Sequence, residues 1–217
     1  MAEETGGASD MFGTSRSELL VDFIVSLDGF ASAEGWPGWW GLEGPEYLDW
    51  LEEQPEGRYT ILMGANTYRL MSGFAAEFDA AAAEEPTDEQ SSIDELGRAQ
   101  KIVFSSTLEG EPPWPNTRLV RGDAVAAVTE MKRSGAGPMR TMGSLTLCRS
   151  LLAAGLVDRL RLVVFPVITG RTGRERIFEG YPDVALDLVQ SRTFDRRLQL
   201  LEYVPTVLPG PPGSPAA

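Results

Sequence analysis

Short apolar runs that end in small or polar residues recur along the chain, and helical patterns lie between them. The first run covers residues 19–27 and is stopped by the turn pair Asp28-Gly29, which is typical of a buried strand. Further runs of strand length follow at residues 59–63, 101–105, 117–120, 139–142 and 160–165. This alternation predicts an α/β fold built on a mainly parallel sheet.

The helical patterns carry their own start and stop signals. Proline and acidic residues suit the first turn of a helix, Asp suits its N-cap, and glycine suits its end. On these signals, helices are predicted from Gly44 to Gln54, from about Thr67 to Met71, from Asp123 to about Ser134 and from Ser144 to Gly155. Residues 184–189 and 198–203, joined by a short turn, predict an antiparallel closing pair.

The remaining segments set the domain boundaries. Residues 1–17 are small, polar and without period, so we expect a disordered leader before a single domain at 18–204. Residues 75–99 form an acidic insert, expected to hold one loose helix because like charges oppose helix formation. Residues 205–217 hold five prolines, and we expect neither a helix nor a central strand there.

The stretch 31–43 contains four glycines and prolines among three tryptophans, Trp36, Trp39 and Trp40. Because glycine and proline punctuate regular structure, the stretch is predicted to be a loop. Tryptophans in a loop are costly to leave in water. We therefore expect them to cover a site or to pack on the body of the protein.

Composition removes several functional classes. The 217 residues include no histidine and one cysteine, Cys148. These counts exclude a Ser-His-Asp triad, histidine-ligated metal sites, thiolate zinc sites and an intrachain disulfide, so no metal is expected. Cys148 is expected to be a buried structural residue. No apolar run is long enough to span a membrane, and the acidic start does not resemble a signal peptide, so a cytoplasmic location is predicted.

Charge is unevenly distributed. The net charge of −13 disfavours a nucleic-acid partner, since such a surface repels a phosphate backbone. Residues 1–108 carry 5 basic and 21 acidic groups, whereas residues 109–217 carry 14 and 11. The second half is therefore the better place for a small anion. In that half Arg171, Arg174 and Arg176 either contact a substrate phosphate or belong to a solvated loop.

Small and polar residues gather where predicted strands end. In an open α/β sheet, ligands bind beyond the carboxyl ends of the strands, and a helix that starts there offers free N–H groups to an anion. Four ends fit this description, at residues 26–29, 63–67, 104–107 and 142–146. Each alone is ordinary cap chemistry, but together they favour a nucleotide with more than one phosphate. Neither GxGxxG nor GxxxxGK[ST] is present.

Four strings in this order carry a resemblance: VSLDGF (25–30), ILMGANTY (61–68), KIVFSSTLE (101–109) and MGSLTLCRSLLAAGLVDRLRLVVFPVITG (142–170). The chain resembles the dihydrofolate reductase-like superfamily over residues 19–204. Within that superfamily it is most similar to the C-terminal reductase domain of the bifunctional riboflavin-biosynthesis enzyme. The resemblance implies an eight-stranded sheet and an NAD(P)H-dependent reductase of a small heterocyclic or ribosylamino-pyrimidine-like substrate, similar to a 5-amino-6-(5-phosphoribosylamino)uracil reductase.

The resemblance also implies binding residues. It implies that the turn after the second strand cradles phosphate, that a serine pair approaches the adenosine ribose phosphate, and that a glycine turn holds the pyrophosphate. The first-strand exit is implied to border the nicotinamide and the substrate. The matching positions are Ser26, Gly64, Asn66, Thr67, Ser105, Ser106, Gly143, Ser144 and Leu145. NADPH is the implied cofactor.

Three departures keep alternatives open. Ala65 stands where the family often has arginine, which weakens the case for NADPH over NADH. Ser144 replaces the second glycine of a pair, so its hydroxyl either compensates or excludes the cofactor. Tyr47 aligns with the pterin-binding acid of true dihydrofolate reductases, so folate is a poor substrate guess.

Asp28 and Asp49 are the candidate proton relays or substrate anchors, and each is also explained as an ordinary turn or surface acid. A catalytically degenerate, nucleotide-binding relative is the second hypothesis. Binding of FMN or FAD is the third. Homodimerisation is expected through the tryptophan-rich loop or the last strands.

Overall fold

The computed structural model describes residues 17–35, 40–54, 56–81 and 88–213, and its centre is one eight-stranded sheet. The strand order is β5-β4-β3-β6-β1-β7-β10-β9, and a separate two-stranded sheet pairs β2 with β8. The strands are β1 (Leu19–Ser26), β2 (Phe30–Ala33), β3 (Thr60–Gly64), β4 (Lys101–Phe104), β5 (Thr117–Val120), β6 (Met139–Thr141), β7 (Arg159–Phe165), β8 (Gly173–Arg176), β9 (Val184–Phe194) and β10 (Leu198–Val207).

The first six strands in this order are parallel, and β10 runs antiparallel to both of its neighbours, β7 and β9. The predicted α/β class, the mainly parallel sheet and the antiparallel closing pair are confirmed.

Helices cover both faces of the sheet. Their bounds are α1 (Pro45–Glu52), α2 (Ala65–Ala81), α3 (Asp88–Arg98), α4 (Ala124–Ser134) and α5 (Leu145–Ala153), with a 3₁₀ turn at Glu56–Arg58. Alternate residues along a strand face opposite sides, and the core divides accordingly. On one side α4 and α5 pack on Val21, Leu62 and Leu162. On the other, α2 and α3 pack on Ile61 and Met63.

Helix α1 packs on the same face as α2 and α3, at the β7–β10 end of the sheet, through Tyr47 and Trp50.

A residue far along the chain caps helix α1. The carboxylate of Asp195, in the turn between β9 and β10, accepts hydrogen bonds from the N–H groups of Glu46 (3.1 Å) and Tyr47 (3.2 Å). The Glu46 carboxylate in return accepts from the Asp195 N–H (2.7 Å). These contacts satisfy free N–H groups that a helix start otherwise leaves exposed.

Two segment predictions were wrong, and the predicted domain end at residue 204 is three residues too early. The acidic insert is not loose where it is described, because α2 and α3 occupy most of it and Leu96 and Ala99 are buried in the core. The stretch from residue 31 is not all loop, because β2 pairs with β8. The proline tail begins inside a strand, because β10 continues through Pro205 to Val207. Pro205 is tolerated there since β10 then pairs only with β9.

Trp40 packs on Phe165, with ring centroids 5.5 Å apart. The predicted roles of Trp36 and Trp39, of the leader at 1–16 and of residues 82–87 and 214–217 lie outside the described residues. Within the described part of the chain, no helix combines the length and the apolar character needed to cross a membrane.

A buried carboxylate joins the three central strands. Asp22 on β1 accepts hydrogen bonds from Arg140 on β6 (2.7 Å) and from Arg161 on β7 (2.8 Å), and the three side chains are between 8% and 14% exposed. Burial raises the pKa of Asp22, but the two guanidinium groups outweigh burial and hold that pKa below its usual value. Gln54, after α1, accepts a further bond from Arg161 (3.0 Å).

Replacing Asp22 with asparagine tests this ion pair. Since the substitution leaves two buried guanidinium groups without their anion, we expect the free energy of unfolding to fall by about 3 kcal/mol or more. Urea unfolding followed by circular dichroism measures this loss. The matched control is Glu130→Gln, which breaks an exposed pair with Arg133 and should cost less than about 1 kcal/mol. Equal small losses in both variants would contradict the structural role of Asp22.

Candidate active site at the carboxyl edge of the sheet

The four polar strand ends singled out in the sequence become neighbours in the sheet. They follow β4, β3, β6 and β1, and these strands lie side by side and parallel in that order. Their carboxyl ends therefore meet along one edge. Helices α2 and α5 start at this edge, directly after β3 and after the β6 turn. The edge thus combines polar turns, hydroxyl groups and the amino termini of two helices, which suits an anionic ligand.

The turns after β3 and β6 contact each other through Ser144. The N–H of Gly64 donates to the Ser144 Oγ (2.6 Å), and that Oγ lies 3.0 Å from the Thr67 Oγ1 in a second hydrogen bond. Gly143 is required beside them, since a Cβ there would lie 2.8 Å from the Thr67 Oγ1. We call Gly64, Thr67, Gly143 and Ser144 the cradle.

The backbone of the cradle is special. Gly143 and Ser144 have φ angles of 54° and 62°, in the left-handed region that favours glycine. Ser144 holds this conformation with its hydroxyl bonded across to the neighbouring turn. Cys148 stabilises the turn from within α5, because its thiol donates a hydrogen bond to the Gly143 carbonyl (3.2 Å). Burial raises the pKa of this thiol to about 12, and Cys148 is fully buried, so its expected structural role is confirmed.

Ser105 and Ser106 lie at the β4 end of the edge. The Ser105 hydroxyl accepts hydrogen bonds from the N–H groups of Thr107 (3.1 Å) and Leu108 (3.0 Å), which shapes the loop, and Ser106 is exposed. A cation that the sequence analysis passed over lies beside them. Arg121 follows β5, the next strand, and donates to the carbonyls of Leu108 (3.1 Å) and Gly110 (3.3 Å).

The first turns of α2 and α5 hold the other predicted binding residues. Asn66 is exposed and accepts a hydrogen bond from Arg69 (3.2 Å). The side chain of Leu145 is half-buried and packs on the core beneath α5. Its backbone N–H is therefore the group that could bind a ligand. The resemblance leads us to expect arginine at position 65, where this chain has Ala65. Arg69 lies one helical turn after it.

Ser26 and Asp28 form a clamp at the end of β1. The Ser26 hydroxyl donates to Asp28 (2.7 Å) and accepts from the Phe30 N–H (2.9 Å). Asp28 also accepts from Thr169 (3.2 Å) and Gly170 (2.8 Å) in the loop after β7. Desolvation raises the pKa of Asp28, but the bonds from Gly170, Ser26 and Thr169 outweigh it and lower the pKa to about 2.

Asp28 is therefore anionic near neutral pH and is poorly suited to donate a proton. Asp49, the other candidate, lies on the exposed side of α1, while Tyr47 and Trp50 form the buried side. Its role as a relay stays a prediction.

Glu43 is a carboxylate that the sequence analysis missed. It precedes α1, and its Oε2 is buried with no hydrogen-bond partner among the described residues. Burial raises the pKa of Tyr47, and the negative charges of Asp22 and Glu43 raise it further. The positive charges of Arg161 and Arg140 oppose this shift but do not cancel it. No motif marked Glu43, because an acid next to glycine is typical of an ordinary turn.

An apolar pair borders the clamp. Leu27 and Ile168 are 64% and 71% exposed, and the Leu27 N–H donates to the Val167 carbonyl (2.9 Å), which holds the two loops together. Large exposed apolar side chains beside polar turns are typical of a surface that binds a ligand or a partner. A cavity of about 450 Å³ opens instead at the amino ends of β3, β4 and β5, near Arg118 and Glu130, where none of the α-helices in the described residues begins.

Replacing Asp28 with asparagine tests the clamp. Since the folded-state pKa is about 2 against an ordinary 3.8, the carboxylate contributes stability that is fully present above pH 3.8 and is lost as the pH falls toward 2. We expect D28N to lower the Tm by about 2–4 °C at neutral pH, with the gap to wild type narrowing across that acidic window. A gap that is independent of pH would contradict the assignment.

Known proteins resemble this chain in sequence and in fold. Residues 17–200 match the family model described as the RibD C-terminal domain. A curated relative, the uncharacterized protein YyaP of Bacillus subtilis, is 23% identical over 193 residues, covering 87% of this chain and 95% of YyaP.

Two solved structures share the fold. A diaminohydroxyphosphoribosylaminopyrimidine deaminase/5-amino-6-(5-phosphoribosylamino)uracil reductase from Thermotoga maritima matches with a TM-score of 0.58 and 16% identity, over 88% of this chain and 57% of that one. Enterococcus faecalis dihydrofolate reductase, complexed with NADP(H), matches with a TM-score of 0.53 and 14% identity, over 88% and 98%. The family match covers most of the sequence, and the chain belongs to the RibD C-terminal domain family.

Proposed function

We propose that this protein is an NAD(P)H-dependent reductase of a small heterocyclic or ribosylamino-pyrimidine-like substrate. The observation that carries the proposal is the contiguous edge formed by the ends of β4, β3, β6 and β1, with two helices starting on it. A dinucleotide is long, bears two or three phosphates and ends in flat rings. This edge offers donors, a cation and an apolar surface in one row.

The residues present fit such a cofactor in order along the edge. Ser105, Ser106 and Arg121 would hold the adenosine ribose phosphate. The cradle and the N–H groups that open α2 and α5, including those of Asn66 and Leu145, would hold the pyrophosphate. Bound reduced nicotinamide supplies a hydride. Arg121 is the feature that favours NADPH over NADH, since it provides the charge that Ala65 lacks.

The substrate end of the proposed site is the apolar pair Leu27 and Ile168 beside the Asp28 clamp. A flat heterocycle would lie on these side chains. The clamp would hold the loop after β1 and the loop after β7 in place beneath it. Glu43 is a candidate acceptor for a ring N–H of the substrate, because its buried oxygen has no partner among the described residues. Of the three loop arginines, Arg174 pairs with Glu34 (3.1 Å) and Arg176 lies over the Phe30 ring, which leaves Arg171 for a substrate phosphate.

The named neighbours support the same chemical class. The Thermotoga maritima protein is named as a reductase of a phosphoribosylamino-uracil, and the Enterococcus faecalis enzyme was solved with NADP(H). Both observations concern those proteins, and they motivate the choice of NADPH and a ribosylaminopyrimidine as candidate ligands. A cytoplasmic location remains a prediction of the sequence.

One observation favours a second candidate. Ser144 accepts the Gly64 N–H and bonds Thr67, and these are donors that a phosphate would otherwise use. If the hydroxyl closes the cradle, the protein is a relative that has lost nucleotide reduction. If the hydroxyl braces the two turns, it favours phosphate binding.

NADPH binding and oxidation distinguish the two candidates. We expect NADPH at about 100 times its Kd to stabilise the protein by roughly 2.7 kcal/mol in a thermal scan. We also expect loss of the reduced-nicotinamide absorbance when a ribosylaminopyrimidine is added, and little loss with dihydrofolate. Ser144→Ala should weaken NADPH binding at least about fivefold, since the hydrogen bonds of the hydroxyl to Gly64 and Thr67 are both lost.

The matched control is Ser150→Ala in the same helix, whose hydroxyl donates only to the Thr146 carbonyl; its NADPH affinity should equal that of wild type. Tighter binding by S144A, or binding without oxidation, would favour the degenerate relative. No thermal shift with NADPH, NADH, FMN or FAD would contradict both candidates.

The role of Arg121 is tested by comparing the two nicotinamide cofactors. Because NADPH differs from NADH by one phosphate, Arg121→Gln should weaken NADPH binding at least about tenfold through loss of a charge-assisted bond and leave NADH binding unchanged. Isothermal titration of both cofactors measures this. Equal weakening of both would show that Arg121 acts only by holding the loop at Leu108 and Gly110.

A further inference from the structure

The turn between β9 and β10 holds two neighbouring residues in the left-handed backbone region. The φ angles of Asp195 and Arg196 are 51° and 58°, and the Arg197 N–H closes the turn by donating to the Phe194 carbonyl (2.9 Å). Glycine, asparagine and aspartate suit such a turn, whereas arginine is costly in it. The side chain of Asp195 reaches from this turn to the start of α1.

The start of α1 depends on this turn, because the helix has no capping side chain of its own. Gly44 occupies the N-cap position, and the Asp195 carboxylate accepts from the N–H groups of Glu46 and Tyr47 in its place. Gly44 is required there, since a Cβ would lie 2.2–2.6 Å from the three carboxylate atoms of Asp195. With the return bond from the Asp195 N–H to the Glu46 carboxylate, the pattern is that of a capping box built from two distant segments.

The segment that leads into α1 lies at the substrate end of the proposed site. Phe165 is the last residue of β7 and lies opposite Ser26 of the clamp in the sheet register. Trp40 packs on the Phe165 ring (centroids 5.5 Å apart), and Tyr47 meets the same ring edge-on (5.7 Å). Glu43 lies between Trp40 and Tyr47 in the chain. The place of Glu43 beside the clamp is therefore set by where α1 begins.

The two ends of α1 are fixed by different contacts. Gln54, after the helix, accepts a hydrogen bond from Arg161 (3.0 Å), and Asp195 holds the start. We propose that Asp195 is a positioning residue for the substrate end of the site, acting through the start of α1 on Trp40 and Glu43. Its carboxylate is already engaged by the helix, so it orients the site without taking part in the chemistry. The inference rests on the proposed function for the identity of the substrate, whereas the cap rests on the geometry alone.

Three substitutions that all suit a left-handed turn test this role in the full chain. Asp195→Gly keeps the turn and removes the cap, Asp195→Asn keeps an acceptor oxygen, and Arg196→Gly relaxes the turn while the Asp195 carboxylate stays. With NADPH and 5-amino-6-(5-phosphoribosylamino)uracil, D195G should raise the KM for the uracil at least about fivefold, because the start of α1 is no longer held. D195N and R196G should stay within about twofold of wild type. The Kd for NADPH should be unchanged in all three, since the cradle lies in the turns after β3 and β6.

Two NMR signals report on the start of α1 without any ligand. The Glu46 N–H should exchange with solvent at least about tenfold faster in D195G than in wild type, and the indole N–H signal of Trp40 should shift. Both signals should be unchanged in R196G. A wild type that does not oxidise NADPH with the uracil contradicts the proposed function alone, and the two signals still decide whether Asp195 places α1. A KM unaffected by D195G, equal effects of D195G and D195N, or an unmoved Trp40 signal would overturn the inference.

Discussion

The carboxylate of Asp22 is the interaction on which the arrangement of the sheet depends. It lies on the central strand and binds an arginine from each neighbour, Arg140 and Arg161. Charges taken out of water are tolerated only when they are paired with good geometry. The register in which Asp22 lies opposite Arg161 meets that demand, whereas a slip by one residue would turn these side chains to opposite faces of the sheet.

Fixing β6, β1 and β7 in this register also fixes where they end. The turn at Gly143-Ser144 and the clamp at Asp28 come to one edge, and β3 brings Gly64 and Thr67 against Ser144. The proposed site is thus a consequence of strand order and register more than of any single loop. Its chemistry then follows from the two helix starts and from the side chains at the strand ends.

The sequence analysis predicted most of this edge, because strand ends can be recognised from local signals such as glycine after an apolar run. It missed what depends on distant partners. Nothing local marks Asp22 as buried, since acids within strands are usually solvent-facing. β8 was missed because Gly173–Arg176 is arginine-rich and pairs only with β2. Asp195 caps a helix almost 150 positions away, and Glu43 gains its character only from burial beside Tyr47.

The central claim is that the carboxyl edge binds a reduced nicotinamide nucleotide, and hydrogen exchange with and without NADPH tests it most directly. The account predicts slower exchange in peptides that cover residues 64–68, 105–108 and 142–147, and unchanged exchange around Arg118 and Ser134 at the opposite edge. Protection confined to that opposite edge, or protection absent from all of these peptides at saturating NADPH, would contradict it.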